Sequence, residues 1–236
     1  MPSSGGDFTP LSTGPGYKSN PGWSPDDSTL AYVLTDTTGS RLVLARRSGR
    51  LASVGGTPPS PVTYFRISWS ADGRRLLYPV RSGKAVVALD VETGGESTST
   101  LPDSSGAWLG AVLSPDGREF VATELPRMTV PFRLSRGPVG AGQRQELRGP
   151  PGSNMPLVWR KDGWLYLYND PDADERLAMA TRHPSVWRMR ADGSRLERVA
   201  WLPAECRFGF VTMSADARRV ACAALHQEPD IWLLTP

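Results

Sequence analysis

The segment Ile67-Ser-Trp-Ser-Ala-Asp-Gly-Arg-Arg-Leu-Leu-Tyr78 contains a short apolar strand, a Ser-x-Asp-Gly turn and a second apolar strand. In such a turn the Ser and Asp side chains can hydrogen-bond the backbone, and Gly supplies a positive φ without steric cost. The pattern predicts a β-hairpin. Four other segments align with this one, without gaps through the turn: Pro21–Tyr32, Ala111–Ala122, Leu157–Tyr168 and Val211–Cys222.

The aligned hairpins recur at a nearly constant distance along the chain. Their equivalent apolar positions are Trp23, Trp69, Leu113, Trp159 and Met213, with spacings of 46, 44, 46 and 54 residues. Repeats of this length are typical of propeller blades or of a solenoid rather than of a single sandwich. A third strand and a more polar fourth strand are expected after each hairpin, and four strands are the composition of a propeller blade. The third strands are predicted at 41–45, 85–90, 130–134, 185–189 and 231–234, and the fourth strands at 50–54, 96–101, 144–147 and 196–201.

The repeat resembles that of the TolB-type β-propellers, through Pro21-Gly-Trp-Ser-Pro-Asp26 and, in the last unit, Asp230-Ile-Trp-Leu-Leu234. This WD-like repeat also occurs in the amino-terminal propellers of prolyl oligopeptidase relatives and in sensor domains attached to bacterial kinases. The resemblance covers residues 7–236. It implies a propeller fold but does not specify a function. TolB-type rings usually have six blades, whereas five repeats are present here.

The two ends of the chain predict how the ring closes. The fifth repeat ends after its third strand, and Asp7–Thr13 has the pattern of an unattached fourth strand. Pairing of these segments would remove two exposed sheet edges. We therefore expect an all-β, five-bladed propeller of four-stranded antiparallel blades, with residues 1–6 as a disordered tail and 7–236 as one domain. An incomplete six-bladed ring is the alternative.

Charge and hydropathy disfavour two classes of partner. The net charge is +3, and the basic and acidic residues number 11 and 10 in residues 1–118 and 16 and 14 in residues 119–236. This even distribution is not typical of a nucleic-acid binder. The longest apolar runs, such as Ala85–Leu89 and Val220–Leu225, are too short to span a bilayer. We expect a monomer without membrane insertion. The arginine-rich stretch 127–148 is either a solvated strand pair or an anion-binding strip.

The sequence also predicts the cellular compartment and the oxidation state of the two cysteines. No basic segment followed by an apolar one is visible after Met1, which predicts a cytoplasmic location if Met1 is the natural start. A domain of a longer chain could instead be periplasmic or extracellular. Cys206 and Cys222 lie in apolar, strand-like runs, so two buried thiols are expected rather than a bridge.

Several repeated or clustered residues have structural interpretations. The repeated Trp side chains are expected to fill the space between blades, and the turn Asp side chains to cap the backbone. Asp170, Asp172 and Asp174 alternate like calcium ligands, but Glu175 and Thr181 replace the Gly and the bidentate acid that a calcium loop needs. A solvated acidic loop is therefore favoured over a weak calcium site, and no other cofactor is expected.

The expected function is binding. The sequence has no Gly-x-Ser-x-Gly elbow, only two histidines, and no pair with metal-ligand spacing. In a propeller, the loops that enter each first strand converge on one face around the axis. Here the residues on these loops are Tyr17, Lys18, Asn20, Tyr64, Arg66, Trp108, Asn154, Met155, Arg207 and Phe208. The aromatic residues and arginines among them are types that dominate recognition hot spots.

Two function hypotheses follow. The first is a non-catalytic module that recognises a protein, a peptide or a small ligand on this rim, either free-standing or as the sensor part of a longer chain. The second is a glycosidase-like hydrolase or a lyase with carboxylates in the central channel. Two carboxylates about 5–10 Å apart on the channel face would favour the enzyme.

Overall fold

A computed structural model describes residues 14–46, 48, 51–54, 67–80, 83–101, 106–125, 132–171, 183–204, 206–224 and 231–234. Within these ranges the chain forms 19 β-strands in five antiparallel sheets. Four sheets have four strands and the fifth has three, and the strands in every sheet are adjacent in sequence order. The predicted all-β class and four-stranded antiparallel units are confirmed.

The strands of each sheet are as follows. Sheet 1 contains β1 (Tyr17–Trp23), β2 (Thr29–Asp36), β3 (Gly39–Arg46) and β4 (Leu51–Val54). Sheet 2 contains β5 (Ser68–Trp69), β6 (Arg75–Val80), β7 (Ala85–Asp90) and β8 (Glu96–Thr100). Sheet 3 contains β9 (Ala107–Leu113), β10 (Glu119–Leu125), β11 (Arg133–Pro138) and β12 (Gln145–Leu147). Sheet 4 contains β13 (Ser153–Trp159), β14 (Trp164–Asp170), β15 (Ser185–Arg190) and β16 (Glu197–Trp201). Sheet 5 contains β17 (Cys206–Met213), β18 (Val220–Ala224) and β19 (Ile231–Leu234).

One strand lies away from its predicted position. The apolar residues at 130–134 predicted the third strand of sheet 3, but β11 spans Arg133–Pro138. Its register is set by β10, which places Val121 opposite Arg136 and Phe120 opposite Gly137. Pairing with a buried neighbour therefore overrides the low strand propensity of Gly137 and Pro138. The closing segment predicted at residues 7–13 lies outside the described residues, as does the tail at 1–6.

The hairpin turns follow the predicted chemistry. In four of them the Ser hydroxyl donates to the Asp carboxylate two residues later, at 2.5–2.7 Å: Ser24–Asp26, Ser70–Asp72, Ser114–Asp116 and Ser214–Asp216. The same carboxylate accepts a backbone N–H two residues further on, as in Arg118 N to Asp116 Oδ1 at 3.1 Å. In the sheet 4 turn Arg160 replaces Ser, and its Nε donates to Asp162 Oδ2 at 3.0 Å. The turn Asp residues are backbone caps, as predicted.

Apolar side chains fill the space between consecutive sheets. The first strands of neighbouring sheets contact one another, β1 with β5, β5 with β9, β9 with β13 and β13 with β17. Trp69 packs against sheet 1 and its Nε1 donates to Gly22 O at 2.9 Å. Trp159 is buried against sheet 3. The predicted packing role of the repeated Trp is confirmed for these two residues. Trp23, on the first sheet of the chain, remains 45% exposed.

Cys206 and Cys222 form a disulfide, with their Cα atoms 5.3 Å apart. The expectation of two buried thiols was therefore wrong. Sequence alignment places Cys222 opposite Val211, and this pairing is present. A break in the β17–β18 register between Cys206 and Val211 changes the course of β17, and Cys206 comes within bonding distance of Cys222. That irregularity has no signal in the sequence.

Candidate ligand-binding rim

Tyr17 and Lys18 begin the first strand of sheet 1, at the predicted rim. Tyr17 pairs with Thr35 and Lys18 with Leu34. Tyr17 is 63% exposed, the highest value among the exposed large hydrophobic side chains of the described residues. It is the clearest candidate for ligand contact.

A tight turn fixes the position of Tyr17. Gly16 has a φ of +102°, and a Cβ there would lie 2.7 Å from Leu34 Cδ1 and 3.0 Å from Thr35 O. Only glycine fits this close approach of the chain to β2. Lys18 Nζ donates to Gly14 O at 2.9 Å, across the same turn. The aromatic side chain therefore projects from a constrained backbone.

Asn20, Asn154 and Met155 are buried rather than exposed on the rim. Asn20 has a φ of +56° and lies where the β1–β2 register shifts, a left-handed position that Asn tolerates better than most residues. Asn154 Nδ2 donates to Pro150 O at 2.8 Å, and its Oδ1 accepts from Asn169 Nδ2 at 3.1 Å. The Asn154 amide holds the backbone before β13, and burial removes all three residues from the exposed surface of the rim.

Trp108 was also expected on the rim, but its side chain is fully buried between sheets 2 and 3. Its ring meets Phe120 edge-on at 5.5 Å, and the Arg144 guanidinium lies 4.9 Å from its centre. A position in a loop predicted that Trp108 would be exposed. Its side chain instead points inward and packs between the two sheets. Trp108 is therefore a core residue in this structure.

The remaining predicted rim residues receive no structural description. Tyr64 and Arg66 lie outside the described residues. Arg207 and Phe208 belong to β17, but their side chains are outside the described part. Of the predicted acidic loop, Asp170 ends β14, while Asp172 and Asp174 lie outside the described residues. Among the residues that are described, no group of three or more His, Cys, Asp or Glu is arranged to hold a metal ion.

One carboxylate near Tyr17 is already engaged. Asp36 ends β2, next to the residue that pairs with Tyr17. Its Oδ2 lies 2.7 Å from Arg41 Nη2, and its Oδ1 accepts from Thr38 N at 2.8 Å. Hydrogen bonds from Arg41 and Thr38 hold the pKa of Asp36 well below its usual range. An ionised, paired carboxylate of this kind is a poor general acid at neutral pH.

Two arginines of the stretch 127–148 make contacts between neighbouring sheets. Arg136 Nη1 donates to Ala191 O of sheet 4 at 2.9 Å, and its Nη2 lies 2.6 Å from Glu119 Oε2. Arg144 Nη2 donates to Thr100 O of sheet 2 at 2.7 Å. Both guanidinium groups join neighbouring sheets, so neither is free to form a continuous anion-binding strip.

No protein-family model matches the sequence. An uncharacterized protein of Agrobacterium fabrum is 27% identical over 221 residues, covering 83% of this chain and 66% of the relative. TolB of Acinetobacter baumannii superposes with a TM-score of 0.68 at 15% identity, covering 95% of this chain and 53% of TolB. The chain has the TolB-type β-propeller fold. The oligogalacturonate lyase of Vibrio parahaemolyticus also matches, with a TM-score of 0.56 and 13% identity, over 90% of this chain and 73% of the lyase.

The chain thus spans about half the length of that TolB and about two thirds of its Agrobacterium relative. The first strands of neighbouring sheets contact one another, as the innermost strands of a propeller do, and Tyr17 begins the first of these strands. The described residues include no helix long and apolar enough to cross a membrane.

One exposed cluster on this TolB-type fold was not predicted from the sequence. The outer strands of sheet 4 carry Trp187, Arg198 and Trp201, and Arg198 lies over both rings. The available signal was the repeated combination of Trp and Arg between residues 185 and 201. Because a fourth strand is expected to be a polar outer edge, this combination did not indicate a site.

Proposed function

We propose that this chain is a non-catalytic propeller module that recognises a protein or peptide through the axial rim at Tyr17. The observation that carries the proposal is the 63% exposure of Tyr17 on a constrained turn. A rigid aromatic side chain offers a large contact area at a small entropic cost. Lys18, the next residue of β1, adds a positive charge at the same end of the strand, so a partner with both an apolar and an acidic group fits best.

The composition of the innermost strands supports binding over catalysis. Strands β1, β9 and β13 consist of apolar, hydroxyl, amide and basic residues, and their sequences contain no Asp or Glu. A glycosidase-like site needs two carboxylates about 5–10 Å apart. The lyase alternative draws on the fold likeness to the Vibrio oligogalacturonate lyase, which at this identity concerns the fold alone.

The proposed fold is a closed five-bladed ring, completed by residues 7–13 as the fourth strand of sheet 5. Support comes from the two faces of sheet 1. Ala31 and Val33 face sheet 2, while Tyr32, Val43 and Ala45 form a separate buried cluster on the opposite face. A sheet at the open end of an array would leave that second face exposed. Its burial is what closure against sheet 5 would produce.

The disulfide supports a location in an oxidising compartment, because bridges of this kind persist in secreted and periplasmic proteins. We propose a monomer without a resident cofactor in that compartment. Calcium should bind no tighter than about millimolar, because the loop after Asp170 lacks both the turn Gly and the bidentate acid. Micromolar affinity in calorimetry, abolished by Asp172→Asn, would contradict this.

The rim proposal is tested by affinity capture with the purified chain, followed by titration of the purified partner. We expect Tyr17→Ala to weaken that partner's binding at least about tenfold while the melting temperature is retained. Thr98→Ala, exposed on the outer strand β8, is the matched control. Incubation with oligogalacturonate tests the lyase alternative, and formation of an unsaturated product would favour catalysis over binding.

A further inference from the structure

The outer strands of the sheets differ sharply in what they expose. The exposed residues of β8 are Glu, Ser and Thr, and those of β12 are Gln and Glu. On β16 the exposed residues include Val199 at 48% and Trp201 at 55%, and Leu196 just before it is 38% exposed. Large apolar side chains on an edge strand invite association, and natural sheets usually avoid them. Sheet 4 therefore has an outer edge unlike the others described.

A guanidinium group is stacked at this edge. Arg198 lies 4.0 Å from the centre of the Trp201 ring and 5.7 Å from that of Trp187. Its neighbour Arg188 is already paired with Glu197, through two hydrogen bonds of 2.7 and 2.9 Å. Among the described residues, Arg198 meets no carboxylate. Its planar donor edge is thus held by two indoles and is available for an anion, for which bidentate binding is the favoured geometry.

The platform beneath Arg198 is rigid. Trp187 Nε1 donates to Ser185 Oγ at 2.9 Å, and Leu202 N donates to Pro184 O at 2.7 Å just beyond β16. The exposed His183 packs edge-on against Trp201, with ring centres 6.2 Å apart. The stacked side chains therefore have few alternative conformations to lose on binding, which favours affinity.

Backbone geometry adds a second binding element. Strand β16 is the last strand of sheet 4, and within the described residues no strand pairs with its outer edge. Arg195 and Arg198 are exposed near this edge, while Glu197 is paired with Arg188 and the exposed Asp192 accepts a hydrogen bond from Ser194 N. An extended segment can add to such an edge through main-chain hydrogen bonds, with its side chains giving specificity.

We propose that the β16 edge binds an extended acidic peptide segment of a partner protein. The segment pairs with β16, an apolar side chain of the segment contacts Val199 and Trp201, and an Asp or Glu accepts from the Arg198 guanidinium. This surface is separate from the rim at Tyr17, so the two sites can be tested independently.

The experiment selects short linear peptides from a displayed random library on the full chain, and then measures a synthetic selected peptide by titration. We expect the selected peptides to alternate apolar residues with Asp or Glu. Arg198→Gln and Trp201→Ser should each weaken binding at least about tenfold, and added salt should weaken it further. Arg118→Gln, which removes an exposed arginine of sheet 3, is the charge-matched control and should bind like the parent.

The outcomes of this experiment distinguish binding at the β16 edge from binding at the rim. Loss of peptide binding in Tyr17→Ala, with Arg198→Gln unaffected, would assign the peptide to the rim and overturn the β16 site. Selection of peptides without acidic residues, or of none above background, would also overturn it. A dimer in sedimentation experiments that dissociates on Trp201→Ser would show that a second copy, rather than a peptide, occupies the edge. Melting temperatures check that each variant is folded.

Discussion

The Arg144 guanidinium lies 4.9 Å from the centre of the buried Trp108 ring, while its Nη2 donates to Thr100 O at 2.7 Å. Thr100 is the last residue of β8 in sheet 2, and Trp108 is the second residue of β9 in sheet 3. The arginine passes close to Gly137, where a Cβ would lie 2.7 Å from Arg144 Cγ. Burial lowers the pKa of Arg144, but an arginine remains charged at any pH a protein tolerates. A cation and an indole thus join two sheets.

We predict that Trp108→Ala lowers the free energy of unfolding by about 3–5 kcal/mol, because the indole is fully buried and little can move to fill its space. Denaturant titration measures this directly. Trp108→Phe should recover part of the loss, since a smaller ring can still contact Phe120 and Arg144. A Trp108→Ala variant as stable as the parent would contradict the buried position and favour the predicted exposed position on the rim.

The fold was predictable because the repeat encodes it locally. Each Ser-x-Asp turn carries its own hydrogen bonds, as in Ser114 to Asp116 at 2.7 Å, so hairpin positions follow from short motifs. The strands β7 and β19 match their predicted bounds. The direction of side chains was not predictable, because it depends on register. Trp108 and Asn154 were predicted in loops on the rim, yet both lie within first strands, β9 and β13, and both are buried.

The protein should become less stable at acid pH because the carboxylates of the hairpin turns become protonated. The Ser114 hydroxyl lowers the pKa of Asp116, and hydrogen bonds from Ser24 and Ser28 lower that of Asp26 to about 2. A carboxyl whose folded pKa is depressed contributes stability above its unfolded pKa, and that contribution is lost as the pH falls through the folded value. We expect the melting temperature to decrease between about pH 4 and pH 2.

The variant Ser114→Ala tests that assignment, because it removes the main donor to Asp116. Its melting temperature should depend less steeply on pH than that of the parent. Ser97→Ala, exposed on the outer strand β8, is the control. Parallel pH profiles for all three proteins would show that the turn carboxylates do not govern the acid transition.

Ala217 and Gly117 occupy equivalent positions in two hairpin turns, so each can be replaced by the residue type of the other. Ala217 has a φ of +57°, a left-handed conformation that costs a residue with a Cβ about 1–2 kcal/mol. We predict that Ala217→Gly stabilises the protein by about 0.5–1 kcal/mol after the entropic cost of glycine. Gly117→Ala should destabilise it, because φ is +68° and a Cβ would lie 2.9 Å from Arg75 Cδ. The denaturant midpoints of the two variants are compared with that of the parent. Shifts of the same sign and size in both variants would exclude backbone strain as the cause.

The Cys206–Cys222 bridge should stabilise the fifth sheet. It closes a loop with a sequence separation of 16 residues, for which chain-entropy arguments give about 3 kcal/mol. We expect a reductant to lower the melting temperature of the parent and to leave that of a Cys206→Ser, Cys222→Ser double variant unchanged. Free thiols titrating in the unfolded, non-reduced parent would show that the bridge does not form.

The candidate site was the less predictable part, and the reason is physical. Exposure of Tyr17 depends on a close approach between Gly16 and Leu34, and stacking of Arg198 depends on the pairing of β15 with β16. Both are products of tertiary structure. Residue types alone indicated which loops to consider, but they could not distinguish the exposed Tyr17 from the buried Asn20 three positions later.

Removal of residues 1–13 tests whether the N-terminal segment closes the ring, and it leaves Gly14, the acceptor of Lys18, in place. If Asp7–Thr13 completes sheet 5, truncation exposes the edge of β19, an apolar segment able to recruit other chains. It also deletes Phe8 and Leu11, whose burial would contribute about 1.5–3 kcal/mol each, against a total of about 5–15 kcal/mol. We expect aggregation or a much lower melting temperature by calorimetry and light scattering, and no change on removal of residues 1–5. A monomeric truncation with the parent's melting temperature would mean that the ring is not closed in this way.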